Sequence, residues 1–115
     1  MPSERLTRRE RVRRRPEFQQ ARERGVRSHG RYMTLVLVPN GAELPRLGII
    51  ASRKIGGAVK RNRAKRLIRN LFRRNKIAPG LDVIVIPRPG LFDASLAELE
   101  VDYRATLQRH VRRSR

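Results

Sequence analysis

The sequence predicts a small α+β domain with the element order α-β-β-α-β-α. Its 115 residues suit one hydrophobic core, because domains of about 100–150 residues usually bury one. Three short runs rich in Val, Ile and Leu predict strands, and a longer stretch with helical spacing of its apolar residues predicts a helix on top of them. Helices packed on a small sheet bury both sets of apolar side chains.

The chain begins with a basic segment that lacks a core pattern. Residues 1–14 are rich in Arg and hold few large apolar side chains, so we expect a mobile, solvated arm. Residues 15–115 then form the single domain. Pro16 suits the first turn of a helix and Gly25 suits its end, which predicts a short helix over about 16–24.

Two strands and the main helix follow. The runs 32–38 and 47–51 are apolar and rich in β-branched residues, and the second lies within hairpin reach of the first. A Gly-Gly pair at 56–57 predicts a turn, after which a helix is expected from about Ala58 to Arg74. One face of that helix is apolar and predicted to pack on the strands: Ala64, Leu67, Ile68, Leu71 and Phe72.

The last third of the domain predicts a strand and a helix. Residues 82–86 read as a buried strand that Pro87 and Pro89 close. Ser95 with Glu98 three residues later is typical of a capping box at the start of a helix. Apolar residues at helical spacing follow it, so the final helix is also expected to pack on the sheet.

Charge points to a polyanionic partner. The chain carries 29 Lys and Arg against 10 Asp and Glu, a net charge of +19, which opposes compaction unless a polyanion neutralises it. Residues 51–76 hold eleven of the basic side chains and no acidic one, so this stretch is the expected nucleic-acid footprint. With no Cys, no apolar signal segment and no apolar run long enough to span a bilayer, we expect a cytoplasmic protein without a membrane partner.

The main helix is also predicted to carry a cationic face. Asn62, Arg66, Arg69 and Arg73 project together on a helical wheel, roughly opposite the apolar stripe. Like charges on neighbouring turns repel unless phosphates lie across them, and the planar fork of Arg suits phosphate or guanine. A solvated surface face is the plain alternative to an RNA-binding role.

The stretch SRKIGGAVKRNRAKRLIR over residues 52–69 closely resembles the signature of the bacterial ribonuclease P protein family. The resemblance continues in RRPEFQQ over 14–20 and in DVIVIPRPG over 82–90, and it covers about residues 5–110. It implies a fold related to the second domain of a small-subunit ribosomal protein, with a left-handed crossover beside the main helix. It also implies a subunit that helps a catalytic RNA remove the 5′ leader of precursor tRNA.

The resemblance assigns two sets of RNA contacts. In the family, the helix of the signature binds the ribonuclease P RNA, while the first helix and the sheet form a cleft for the leader. Phe18 matches an aromatic of the first helix, although a core role is an equal alternative. Arg22 and Val36 stand where many members have further aromatics, and an Arg can still stack on a base. The expected contacts to the RNA subunit are Arg53, Lys54, Lys60, Arg61, Asn62, Arg63, Lys65, Arg66, Arg69 and Arg73, and those to the leader are Phe18 and Arg22.

The chain is not expected to carry out the chemistry itself. A protein nuclease needs clustered carboxylates or a His pair, but residues 44–81 hold no acidic side chain, and His29 and His110 are far apart in sequence. We therefore predict no catalytic and no metal-binding residue, with Mg²⁺ held by the RNA. The expected partners are ribonuclease P RNA, at one copy each, and precursor tRNA, with no protein partner required.

Two other functions remain open on composition alone. A ribosomal protein could use the same basic helix and arm to fill grooves of ribosomal RNA. A DNA-binding regulator could use residues 58–74 as a recognition helix, but no second helix is predicted immediately before residue 58. The Arg-Asn-Arg signature argues against the ribosomal alternative.

Overall fold

The computed structural model describes residues 11–12, 15–75 and 80–113. It confirms the α+β class and finds each of the six predicted elements, with ends that differ by a residue or two. In chain order the elements are α1 (Arg15–Arg24), β1 (Val26–His29), β2 (Met33–Pro39), β3 (Arg46–Ile49), α2 (Ala58–Arg74), β4 (Leu81–Pro87) and α3 (Leu96–Arg113), with 3₁₀ turns over Arg53–Ile55 and Pro89–Asp93. No helix among these residues is long and apolar enough to cross a membrane.

The four strands form one mixed sheet in the order β1-β2-β4-β3. β2 runs antiparallel to β1 and to β4, whereas β3 runs parallel to β4. β3 is therefore not a hairpin partner of β2, as its position in the sequence suggested, but lies on the far side of β4. The chain passes from β3 to β4 through α2, because parallel neighbours need a crossover. The handedness of that crossover stays a prediction.

β1 was missing from the predicted order, which becomes α-β-β-β-α-β-α. Its residues Val26, Arg27 and His29 are exposed and Ser28 is buried, so the segment lacks the apolar alternation that marks a strand. Two tertiary contacts hold it in place. It pairs along β2, and the Ser28 hydroxyl donates to the carbonyl of Thr106 on α3 at 2.8 Å.

The main core lies between one face of the sheet and the helices α2 and α3. Alternate residues of β2 and β4 point into it, because successive strand side chains face opposite sides. α2 contributes its predicted stripe, of which Leu67 is only partly buried. The fully buried members include Met33, Leu35, Leu37, Val83, Val85, Ala64, Ile68, Leu71, Phe72, Leu99 and Tyr103.

α3 is fixed at its start and clamps the β1–β2 turn. The predicted capping box forms: the amide of Glu98 donates to the Ser95 hydroxyl at 3.2 Å, and the amide of Ser95 donates to the Glu98 carboxylate at 3.1 Å. One turn later, Asp102 accepts from the amides of Arg31 and Tyr32 at 2.8 and 2.9 Å. These bonds hold the β1 edge of the sheet against α3.

The opposite face of the sheet carries a smaller apolar cluster beneath α1. Val36 and Ile84 form its floor together with Val12, whose amide donates to the carbonyl of Leu47 at 2.7 Å. Arg11 and Val12 thus pack on the sheet although they fall inside the predicted arm. The other residues of that arm lie outside the described residues, so its mobility stays a prediction.

Candidate nucleic-acid interface

α2 begins at a glycine turn and carries no acidic residue in its first turn. Gly56 has a φ of 138°, a backbone conformation that residues with a Cβ rarely adopt. Gly57 is the N-cap, and it has no side chain to cap the helix. The free N–H groups and the positive end of the helix dipole therefore remain available to an anion.

The outward face of α2 presents cations without partner carboxylates. Asn62 and Arg66 are exposed, and Arg69 and Arg73 are half-buried at the sides of that face. Within the described part of the chain, none of the nine predicted cationic contacts forms an ion pair with a carboxylate. The nine are Arg53, Lys54, Lys60, Arg61, Arg63, Lys65, Arg66, Arg69 and Arg73.

The structure spreads these residues over the turn before α2 and over three sides of the helix. Arg53 and Lys54 are exposed in the 3₁₀ turn, and Lys60 folds back over Gly56, where an added Cβ would lie 2.7 Å from Lys60 Cδ. Arg63 lies on the flank that faces Phe92. Lys65 and Arg69 lie on the opposite flank, facing α1 and β3.

That second flank forms one wall of a cavity, which we call the α1 cleft. The cavity has a volume of about 180 Å³. Its lining combines three cations with an aromatic ring and the edge of β3. The lining residues are Arg11, Val12, Phe18, Leu47, Gly48, Ile49, Lys65 and Arg69.

Phe18 lies in the α1 cleft because β3 has no side chain beneath it. A Cβ added to Gly48 would lie 2.9 Å from Phe18 Cε1 and 2.7 Å from Ile84 Cδ1, so only glycine lets the ring approach this closely. The ring is half-buried and packs on the cluster of Val12, Val36 and Ile84. Phe18 thus packs on the small apolar cluster and also lines the cavity, and its stacking on a leader base stays a prediction.

The cations of the α1 cleft lie close to one another, and none of them forms an ion pair with a carboxylate among the described residues. Burial first, and the positive charge of Arg11 second, lower the pKa of Arg69. Arg11 Nε is buried and has no hydrogen-bond partner among the described residues, an arrangement that costs free energy. A phosphate in this cleft would compensate the positive charges of Arg11 and Arg69.

Some predicted residues are left untested and some contributors were not predicted. Arg22 lies in α1, but its side chain is outside the described atoms, so its stacking role stays a prediction. Arg11, Gly48 and Phe92 were not singled out as site residues. A glycine inside a strand is a recognised sign of close approach, so Gly48 could have been found from the sequence. Arg11 lines the α1 cleft only because the segment at Arg11 and Val12 packs on β3, which no local sequence pattern indicates.

Of the two histidines, the structure describes the side chain of His29 only. His29 is exposed and its Nδ1 lies 3.2 Å from the Thr34 hydroxyl, whereas the side chain of His110 is outside the described atoms. Among the described residues, no three His, Asp or Glu side chains converge where they could hold a metal ion.

Comparisons with known proteins agree on one family. The family model described as Ribonuclease P matches residues 6–111. The ribonuclease P protein component of Thermotoga maritima is 43% identical over 91 residues, which cover 77% of this chain and 78% of that protein. The solved structure of the Thermotoga maritima RNase P protein superposes with a TM-score of 0.78 at 34% identity, covering 87% of this chain and 96% of that one. The solved structure of the Staphylococcus aureus RNase P protein superposes with a TM-score of 0.76 at 29% identity, covering 88% of this chain and 94% of that one.

Proposed function

This chain belongs to the ribonuclease P protein family, and we propose that it binds the catalytic RNA with α2 and the 5′ leader of precursor tRNA with the α1 cleft. As a member it is the protein component of a tRNA-processing endonuclease whose catalysis lies with the RNA, and its working partner is ribonuclease P RNA. The ribosomal and DNA-binding alternatives are therefore set aside. The assignment of surfaces to the two RNAs is our proposal.

The observation that carries this proposal is the arrangement of three cations around an aromatic ring. Arg11, Lys65 and Arg69 surround the cavity beside Phe18, and no described carboxylate neutralises them. Single-stranded nucleic acid binds to surfaces that combine cations for the backbone with aromatic rings for the bases. The α1 cleft has both within one small cavity.

The outward face of α2 suits a folded RNA better than a single strand. Arg66 and Asn62 are exposed on α2, and Arg53 and Lys54 extend the charge beyond its N-terminus. A rigid row of cations neutralises phosphates spaced along a helical backbone, and each such contact adds to the salt dependence of binding. This face therefore supports contact with the RNA subunit.

The two surfaces meet at α2, which gives the protein a positioning role. Arg69 lines the α1 cleft while Arg66, three residues earlier, faces outward. A leader held in the cleft would consequently be fixed relative to the RNA that contacts the outer face. Fixed geometry of this kind lowers the cost of bringing the cleavage site to the catalytic RNA.

Metal chemistry is assigned to the RNA in this proposal. The described residues offer no cluster of carboxylates or imidazoles that fits a divalent ion, and Mg²⁺ binds preferentially to carboxylates and phosphate oxygens. The remaining parts of the proposal are one protein per RNA, no further protein partner and a cytoplasmic location.

Reconstitution tests the proposal. Cleavage of precursor tRNA by a bacterial ribonuclease P RNA is measured at low Mg²⁺ with and without the protein, together with dissociation constants for precursor and mature tRNA. We expect faster cleavage, and tighter binding of the precursor than of the mature tRNA. Stimulated cleavage with equal affinity for both tRNAs would contradict the assignment of the leader to the α1 cleft.

A further inference from the structure

One cation of α2 rests on an aromatic ring. The guanidinium carbon of Arg63 lies 5.7 Å from the centre of the Phe92 ring, within the distance at which a cation is attracted to a ring face. Arg63 is exposed on the flank of α2, and Phe92 belongs to the 3₁₀ turn over Pro89–Asp93. Two elements that are distant in sequence thus meet at this pair.

The ring is the fixed partner of the pair. Leu91 beside it is fully buried, and the amide of Leu91 donates to the carbonyl of Arg88 at 2.9 Å. Phe92 itself is half-buried and packs on the main core. An exposed Arg normally samples many rotamers, so the ring limits the motion of Arg63 rather than the reverse.

The other partnered cations of α2 are held in a different way. Arg74 forms an ion pair with Glu100 at 3.1 Å, and Arg73 donates to the Asn70 side chain at 2.8 Å. Both contacts use N–H donors, and the carboxylate also cancels charge. The Phe92 ring attracts the Arg63 guanidinium without a carboxylate, so the full positive charge of Arg63 stays available to phosphate or base edges.

We propose that Phe92 is a positioning residue that holds Arg63 in a binding-ready conformation for ribonuclease P RNA. The proposal rests on the RNA-binding role of α2 given above. The adjacent Asp93 is exposed and forms no ion pair with Arg63, so the ring is the contact that orders this side chain. Ordering it before binding removes an entropic cost that the complex would otherwise bear.

A double-mutant cycle on RNA affinity tests this role. Phe92→Leu removes the ring and keeps an apolar side chain on the core, while Phe92→Tyr keeps the ring. We expect Phe92→Leu to weaken binding of ribonuclease P RNA by about two- to tenfold, or about 0.4–1.4 kcal/mol at about 1.4 kcal/mol per factor of ten, and Phe92→Tyr to bind as the wild type does. In an Arg63→Ala background, Phe92→Leu should have no further effect.

Two controls separate positioning from general damage. In an Arg66→Ala background, where the altered cation does not contact the ring, Phe92→Leu should keep its whole effect. Thermal unfolding shows whether each variant is folded, and Phe92→Met serves as a second ringless variant if Phe92→Leu is not. An equal loss of affinity from Phe92→Leu with and without Arg63, or no loss at all, would overturn the inference. If Arg63→Ala itself leaves affinity for ribonuclease P RNA unchanged, Arg63 does not contact that RNA and the inference is wrong. The RNA-binding role of α2 is then still tested separately by the Arg66 and Arg69 variants.

Discussion

The two faces of the sheet differ in how completely they are covered. On one face, α2 and α3 bury a continuous apolar cluster whose members are almost all inaccessible to solvent. On the other face, α1 and the segment at Val12 cover a floor of Val36 and Ile84 and leave the α1 cleft open beside them. Apolar residues thus fill one face, whereas cations and a half-buried ring surround the space left on the other.

The domain uses one face of its sheet for stability and the other for binding. A filled core provides the burial that opposes chain entropy, and it also fixes the backbone of α2. The incompletely covered face then presents Lys65 and Arg69 of that same helix to the cleft. Substitutions on the first face should therefore change stability, and those on the second should change affinity.

The largest expected effect is on the covered face. Ile68 is 1% exposed, and Ile68→Ala should lower the free energy of unfolding by about 2–5 kcal/mol through lost burial and a cavity. Denaturant unfolding of Val59→Ala, which alters a side chain that is 82% exposed on the same helix, gives the control and should stay within about 0.5 kcal/mol of the wild type. Comparable losses in both variants would mean that α2 does not pack through the face described.

The next effect is on the open face and concerns the leader. Phe18→Ala should weaken binding of leader-bearing precursor to the holoenzyme by about 1–3 kcal/mol, the usual contribution of a base stacked on an aromatic ring. Mature tRNA should bind unchanged. Dissociation constants for both ligands are measured at one salt concentration, on protein shown to be folded. Equal losses for the two ligands would assign Phe18 to assembly with the RNA subunit.

A smaller effect distinguishes the outer face of α2 from the cleft. Arg66→Ala and Arg69→Ala should each reduce the log-log salt slope of RNA binding by about 0.7–0.9, the contribution of one phosphate contact. Because Arg69 lines the α1 cleft, its variant should also discriminate less between precursor and mature tRNA. Arg31→Ala alters an exposed cation at the β1–β2 turn, and its slope should match that of the wild type. Salt slopes equal to that of the wild type in both the Arg66 and the Arg69 variant would mean that α2 does not contact the RNA.

The smallest effect is a pH dependence at the start of α3. The amide of Ser95 first, then the Ser95 hydroxyl and the Tyr32 hydroxyl, lower the pKa of Glu98. A carboxyl whose folded pKa is below its unfolded value stabilises the fold above that unfolded value and loses this contribution as the pH falls through the folded pKa. In an NMR titration, Ser95→Ala should raise the pKa of Glu98 toward its ordinary range, and Tyr32→Phe should raise it less. A larger rise in the Tyr32 variant would mean that the Tyr32 hydroxyl lowers the pKa of Glu98 more than the Ser95 hydroxyl does.

Much of the covered face could be predicted from the sequence. The apolar stripe of α2 repeats with helical spacing, so its buried side follows from geometry alone, and the structure buries Ala64, Ile68, Leu71 and Phe72 as expected. Ser95 and Glu98 form the capping box because that interaction depends on residues three positions apart. Local spacing also predicted the cationic face opposite the stripe.

The elements that were missed or misplaced depend on distant partners. β1 is a polar edge strand with Ser28 as its buried residue, and its conformation comes from pairing with β2 rather than from its own pattern. β3 follows β2 closely in sequence, yet it pairs with β4 across a helical crossover. Strand order reflects how the whole sheet buries its apolar faces, which adjacency in sequence does not encode.

The class of fold, the two faces of α2 and the concentration of positive charge follow from the sequence alone, because each depends on composition or on spacing within one element. Which of these charges meet depends on the tertiary structure. Arg11, Phe18, Gly48 and Arg69 come from four separate segments, and they line one cleft because the chain before α1 packs on β3 and α1 packs on the same face of the sheet. Contacts of this kind form through long-range closure of the chain, and no local pattern of residues records them.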